Sequence, residues 1–119
     1  MTKVDSLNFG SIVVDGKEYG YDVVVMPDGA VREMEASKKR FGSHNISKAE
    51  IEVLVNTKPD AVVIGTGTSG VARVASNATT YAQENKVDLA VLPSPEAVDK
   101  LNRLADESKR VAALIHITC

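Results

Sequence analysis

Two periodicities divide the chain. In the first third, apolar residues recur every second position. After Ser47 they recur at helical spacing, interrupted by short, wholly apolar runs. Ser11-Ile12-Val13-Val14 leads into Asp15-Gly16, a dipeptide that tolerates positive φ and so predicts a hairpin turn. Tyr19, Tyr21, Val23 and Val25 then alternate with Gly20, Asp22 and Val24, which predicts one strand with a buried face. Pro27-Asp28-Gly29 predicts a second turn, and residues 30–33 a return strand.

Residues 37–45 have no period and read as a loop. Ser47-Lys48-Ala49-Glu50 fits a capping box and opens a helix with Ile51, Leu54 and Val55 on one face. That helix stops before Lys58-Pro59, because a residue preceding proline avoids the helical region. Ala61-Val62-Val63-Ile64 predicts a strand covered on both faces, broken by residues 65–70. A helix is expected near 76–85, and a second buried strand at 89–92. Ser94-Pro95 predicts a helix start, with Ser94 as N-cap. Ala97, Val98, Leu101, Leu104 and Ala105 form its apolar stripe, and residues 111–118 are the last strand. Hairpins followed by alternating helices and strands predict an α/β layer fold around a mixed central sheet, in a single domain spanning 1–119.

Composition narrows the function classes. The chain has 119 residues, 16 acids against 14 Lys and Arg, and a net charge of −2. That balance argues against nucleic acid as a partner. One cysteine excludes an internal disulfide framework and a multi-cysteine zinc site. No metal and no cofactor is expected. The lone cysteine also fits a reducing compartment, which points to the cytoplasm. No apolar run approaches the ~20 residues that span a bilayer.

Three segments are chemical candidates. Gly65-Thr66-Gly67-Thr68-Ser69-Gly70 matches G-x-G-x-x-G after a strand, a pattern whose backbone amides can cradle phosphate. The rest of a dinucleotide site is missing. Asp88 lies at the start of the next strand rather than its end, and only one βαβ unit of this kind is present. The other readings are a tight turn, or a small-molecule site for an anion or phosphate at the carboxyl ends of the strands, in a binding protein or a small enzyme. Lys38-Lys39-Arg40, with His44, forms the most basic stretch. It reads as a solvated or protein-contacting loop, since only Phe41 could stack a base. His116-Ile117-Thr118-Cys119 closes the chain. Strand alternation puts His116 and Cys119 on opposite faces, so His116 reads as a hydrogen-bonded, partly buried side chain. The candidate ligand-binding residues are therefore Gly65, Thr66, Gly67, Ser69, Lys38, Lys39, His44 and His116. No catalytic set is expected.

Taken together, several of these residues resemble one family. They are Val63-Ile64-Gly65-x-Gly67-x-Ser69, Thr80-Tyr81, Val91-Leu92, Glu96-Ala97-Val98, Asn102 and the terminal His116-x-Thr118-Cys119. In that order and spacing they resemble the small archaeal Mth-type domain of unknown function. Its eukaryotic relatives include an adipogenesis-associated Mth-domain protein and a mitochondrial complex I assembly factor. The resemblance is clearest over 59–119. It implies a three-layer α/β fold with a central mixed sheet, flanking helices and an accessory N-terminal hairpin layer. It also implies a binding, assembly or regulatory role with a protein partner, and supplies no catalytic step. Independently of the resemblance, a homodimer is an ordinary expectation for a small protein. The animal relatives carry tryptophan in the segment corresponding to 32–39, where this chain has none, and tyrosine where this chain has Leu101. The eukaryotic partner surface is therefore not expected to carry over, and an archaeal source is.

Overall fold

Paired positive-φ residues shape the N-terminal third in the computed structural model, which describes residues 3–33 and 45–118. Strands β1 (Val4–Asn8), β2 (Ser11–Val14) and β3 (Lys17–Tyr19) form an antiparallel three-stranded sheet in that order. Asp15 and Gly16, at φ 50 and 82, make the expected two-residue turn between β2 and β3. Its corners are tied down by Lys3 N–H donating to Asp15 Oδ1 (2.8 Å) and Gly16 N–H donating to Asp5 Oδ2 (2.7 Å).

The expected strand from Tyr19 to Val25 is in fact two. β3 stays in the small sheet, while β4 (Val23–Val25) enters a five-stranded sheet. All three valines of β4 are buried, because this strand is covered on both faces. The period-two signal thus crossed a sheet boundary at Gly20-Tyr21-Asp22. A turn around Pro27-Asp28-Gly29 then returns the chain as β5 (Val31–Glu33), with Asp28 Oδ1 accepting from Ala30 N–H at 2.9 Å.

The remainder alternates as expected, with two additions. β6 (Asn45–Ile46) pairs in parallel with β8 (Arg73–Val74), a short pairing that no sequence pattern marked. Helix α1 (Lys48–Val55) buries Ile51, Leu54 and Val55, and Ser47 caps it by accepting from Glu50 N–H at 3.4 Å. Strand β7 (Ala61–Thr66) runs two residues beyond the expected break, passing through Gly65. Helix α2 (Ser76–Glu84), strand β9 (Asp88–Leu92), helix α3 (Ser94–Asp106) and strand β10 (Val111–His116) complete the order.

The large sheet runs β5-β4-β10-β7-β9. β10, β7 and β9 are parallel to one another, and β4 is antiparallel to β10. One face carries α1 and α2 over Val62, Ile64, Ala112 and Leu114. The other carries α3 and the three-stranded sheet over Val63, Ala113 and Ile115. Alternate residues of β7 and β10 thus feed two cores, which is why these strands read as continuous apolar runs. Asn102 stitches α3 to the small sheet beside it. Its Oδ1 accepts from Val4 N–H and its Nδ2 donates to Val4 O, both at 2.9 Å. The expected three-layer α/β architecture, with its accessory N-terminal hairpin layer, is what forms.

One expectation needs correction. β9 is not a buried strand. It lies at the sheet edge, and its Val91 is 42% exposed. Leu101 is 2% exposed in the core beneath α3.

Candidate functional site

The order β10-β7-β9 creates a switch point. The chain leaves β7 through α2 to β9 on one side, then returns through α3 to β10 on the other. Right-handed crossovers therefore place α2 and α3 on opposite faces. In open α/β sheets, ligands enter the crevice beyond the carboxyl ends of such diverging strands. Here the strands that part are β7 and β9, and the strand-end region runs from Leu92 of β9 past Thr66 of β7 to His116 of β10, which is in register with Thr66.

Ser94, the first residue of α3, occupies it. The sequence predicted an N-cap, but the Ser94 side chain does not cap the helix. Its hydroxyl donates to His116 O at 2.5 Å and accepts from Gly67 N–H at 2.9 Å, and the residue is fully buried. Ser94 N–H in turn donates to Gly67 O at 2.8 Å. One side chain thus ties the ends of β7 and β10 together. Thr66 adds β9 by donating its hydroxyl to Leu92 O at 3.1 Å.

This closure explains the glycine pattern. A Cβ on Gly65 would stand 2.7 Å from Ser94 Oγ and 3.2 Å from Ser94 Cα, so helix and strand approach each other only over a glycine. Gly67 and Gly70 take φ of 110 and 70, and Gly70 N–H donates to Gly67 O at 3.1 Å. Thr68 N–H donates to Thr118 O at 3.2 Å. The amides of Gly67, Thr68 and Gly70 are therefore bonded to the chain itself. The geometry of the loop is that of a tight turn.

Next to Ser94, Asp22 holds the far side of β10. Its Oδ2 lies 2.5 Å from His116 Nδ1, and its Oδ1 accepts from Ile117 N–H at 2.9 Å. Both side chains are buried. Facing a carboxylate oxygen, Nδ1 carries the proton of that bond. Nε2 then faces Thr118 Oγ1 at 3.3 Å. Carboxylate, imidazole and hydroxyl stand in the sequence of a proton relay. Yet Asp22 also binds backbone, and the imidazole is 6% exposed, so the arrangement anchors the tail of β10 to the start of β4.

The structure thus brings Gly65, Thr66, Gly67 and His116 together through Ser94. Ser69 lies in the turn between Gly67 and Gly70. Lys38, Lys39 and His44 fall outside the described residues, as does Cys119. Reasoning from sequence left Asp22, a carboxylate near a strand end, without a partner, and read Ser94 as a helix cap. Asp22 and His116 are separated by 94 residues, and no local pattern pairs them. The unused signal for Ser94 was its position directly after the strand next to Gly65 in the sheet.

The fold and this closed strand-end network define a small three-layer α/β domain built from an antiparallel sheet, a mixed sheet and three helices among the described residues. The chain belongs to the family described as "Protein of unknown function (DUF498/DUF598)", which matches residues 4–116. Solved structures agree. The chain is similar to MT938, with 32% identity over 100% of both chains and a TM-score of 0.83. It is similar to the conserved hypothetical protein PH1505 from Pyrococcus horikoshii OT3, with 30% identity, 98% of this chain and 99% of that chain covered, and a TM-score of 0.80. A Mth938-like domain from Bordetella pertussis shares the fold at 14% identity, with 98% of this chain and 85% of that chain covered and a TM-score of 0.65. The Mth-type resemblance carried by Gly65, Thr80 and His116 is this family.

Proposed function

We propose that the chain is a non-catalytic binding or assembly module that receives a protein partner. The observation that supports this reading is Ser94, which fills the crevice where an α/β sheet would admit a small ligand. The amides of Gly67, Thr68 and Gly70 are spent inside the chain, so a phosphate bound by them would have to displace those bonds. Around this closed end lie exposed apolar side chains. Phe9 is 72% exposed and precedes Gly10, whose N–H donates to Ile117 O at 2.8 Å. Tyr21 is 42% exposed and precedes Asp22, which accepts from Ile117 N–H. Two aromatics beside the end of β10 suit a protein surface, because aromatic side chains supply much of the binding energy of interfaces. A cytoplasmic, archaeal setting belongs to the same proposal. The lone cysteine and the similarity to the Pyrococcus horikoshii protein support it.

The test is a quantitative pull-down from native lysate with two baits, the wild-type chain and Phe9→Ser. The expected result is a partner captured at stoichiometric level by the first and lost by the second. A wild-type bait that captures nothing at that level overturns the reading. A parallel titration with inorganic phosphate, followed by amide NMR, addresses the small-anion alternative. Saturable shifts at Gly67, Thr68 and Gly70 would establish it instead.

A further inference from the structure

β9 is an edge strand, bonded to β7 on one side and to no strand among the described residues on the other. An exposed edge presents unpaired backbone groups and is a template for another strand. This edge has neither proline nor a charge in its interior, only Leu89, Ala90 and the half-exposed Val91. Beside it, on the α3 face, runs a groove of about 400 Å³ lined by Leu92, Glu96, Asp99, Lys100 and Arg103.

The charges in that groove are ordered. Glu96 and Asp99 stand in the first half of α3, Lys100 and Arg103 in the second. Glu96 and Lys100 are four apart, as are Asp99 and Arg103, yet neither pair closes into an ion pair among the described residues. The pairs Glu96/Arg103 and Asp99/Lys100 share a single midpoint, between residues 99 and 100. Such a row is complementary to itself when reversed.

We propose that the β9 edge and the α3 groove form an isologous interface with a second copy of this chain. A two-fold axis perpendicular to the sheet pairs β9 antiparallel to the second copy's β9, centred on Ala90. It places Leu89 opposite the second copy's Val91. These two residues share a sheet face, where Leu89 already packs against the α1 and α2 core. Val91 thereby gains cover, and the two large sheets become one. The same axis sets the α3 helices antiparallel on one face. With α3 packed across β7, their axes lie about 14 Å apart, three strand spacings of ~4.8 Å. Glutamate and arginine side chains span that gap, so Glu96 meets the second copy's Arg103 and Asp99 meets its Lys100. This interface lies at the sheet edge rather than the strand ends and does not depend on the function proposed above.

The experiment is sedimentation analysis of the full chain from about 1 to 200 µM, a range that covers micromolar affinities. Three variants accompany the wild type: Lys100→Glu/Arg103→Glu, Glu96→Lys/Asp99→Lys and Val91→Lys. Far-UV circular dichroism verifies that each is folded. The wild type is expected to dimerise. Each variant alone should lose at least tenfold in affinity. An equimolar mixture of the two charge-reversed variants should recover a one-to-one heterodimer, because one row is then wholly acidic and the other wholly basic. A wild type that stays monomeric at the top concentration overturns the proposal. So does a dimer indifferent to the substitutions, or a mixture that recovers nothing.

Discussion

Replacing Ser94 with alanine removes one oxygen that two buried backbone groups share. The Gly67 N–H loses its acceptor at 2.9 Å, and the His116 carbonyl loses one donor, at 2.5 Å. A buried polar group left without a partner costs about 1–3 kcal/mol and a lost hydrogen bond about 1 kcal/mol, so the two together cost about 3 kcal/mol. With a urea m-value of ~1.5 kcal/mol/M for a domain of this size, the unfolding midpoint falls by about 2 M. The chain has no tryptophan, so far-UV circular dichroism is the practical probe. Gly65→Ala sharpens the test. Its new Cβ meets Ser94 Oγ at 2.7 Å, and this overpacking costs about 1–3 kcal/mol in the wild type. In the Ser94→Ala background the oxygen is gone, and the nearest remaining contacts are 3.2 Å to Cα of residue 94 and 3.3 Å to Ile115 Cδ1. The double variant should therefore be more stable than the sum of the single effects by about 1 kcal/mol or more, as expected of residues in direct contact. Additivity within ~0.5 kcal/mol would refute the claim that Gly65 is glycine in order to admit Ser94.

Asp22→Ala leaves His116 Nδ1 and Ile117 N–H without their shared acceptor, and should cost about 3–5 kcal/mol in the same urea titration. Asp22→Asn, which keeps an oxygen for one of them, should cost less, and equal losses would contradict that division. Asn102→Ala cuts both bonds between α3 and β1, and should cost about 1–2 kcal/mol. Hydrogen exchange should then show the Val4 amide opening well before that of Ile12, and unchanged protection at Val4 would count against the stitch. Gly70→Ala should cost about 1–2 kcal/mol, because φ is +70 and the new Cβ lies 3.1 Å from Pro93 Cγ. Gly20→Ala, with no heavy atom within 4 Å of its Cβ, should be neutral or slightly stabilising, and the contrast is read from paired melting curves.

Local patterns were legible wherever one short segment carried the whole signal. Ala61–Ile64 read as a doubly covered strand because both faces of β7 are buried. The apolar stripe from Ala97 to Ala105 marked α3 because one face of that helix is buried and the other is not. The Asp15-Gly16 turn followed from backbone sterics alone. What failed was long-range. Alternation from Tyr19 to Val25 cannot show that the chain changes sheets at Gly20, since each short strand keeps the same period. β9 is as apolar in sequence as a central strand, and only the sheet order reveals it as an edge. In the site, Gly65 and Gly67 were marked by a motif written for phosphate. The physical demand behind them is the approach of Ser94 and a positive φ. Asp22 stayed unpaired in the sequence because its partner lies in the last strand, 94 residues away.

If the strand-end crevice is filled by the chain itself, and the protein works by binding another protein, then no small molecule should travel with it. Native mass spectrometry of the protein isolated gently from its own cells tests this most directly. The expected spectrum holds polypeptide masses only, the chain or its symmetric dimer together with a bound protein partner. A small excess mass on the folded chain that disappears on denaturation would contradict it.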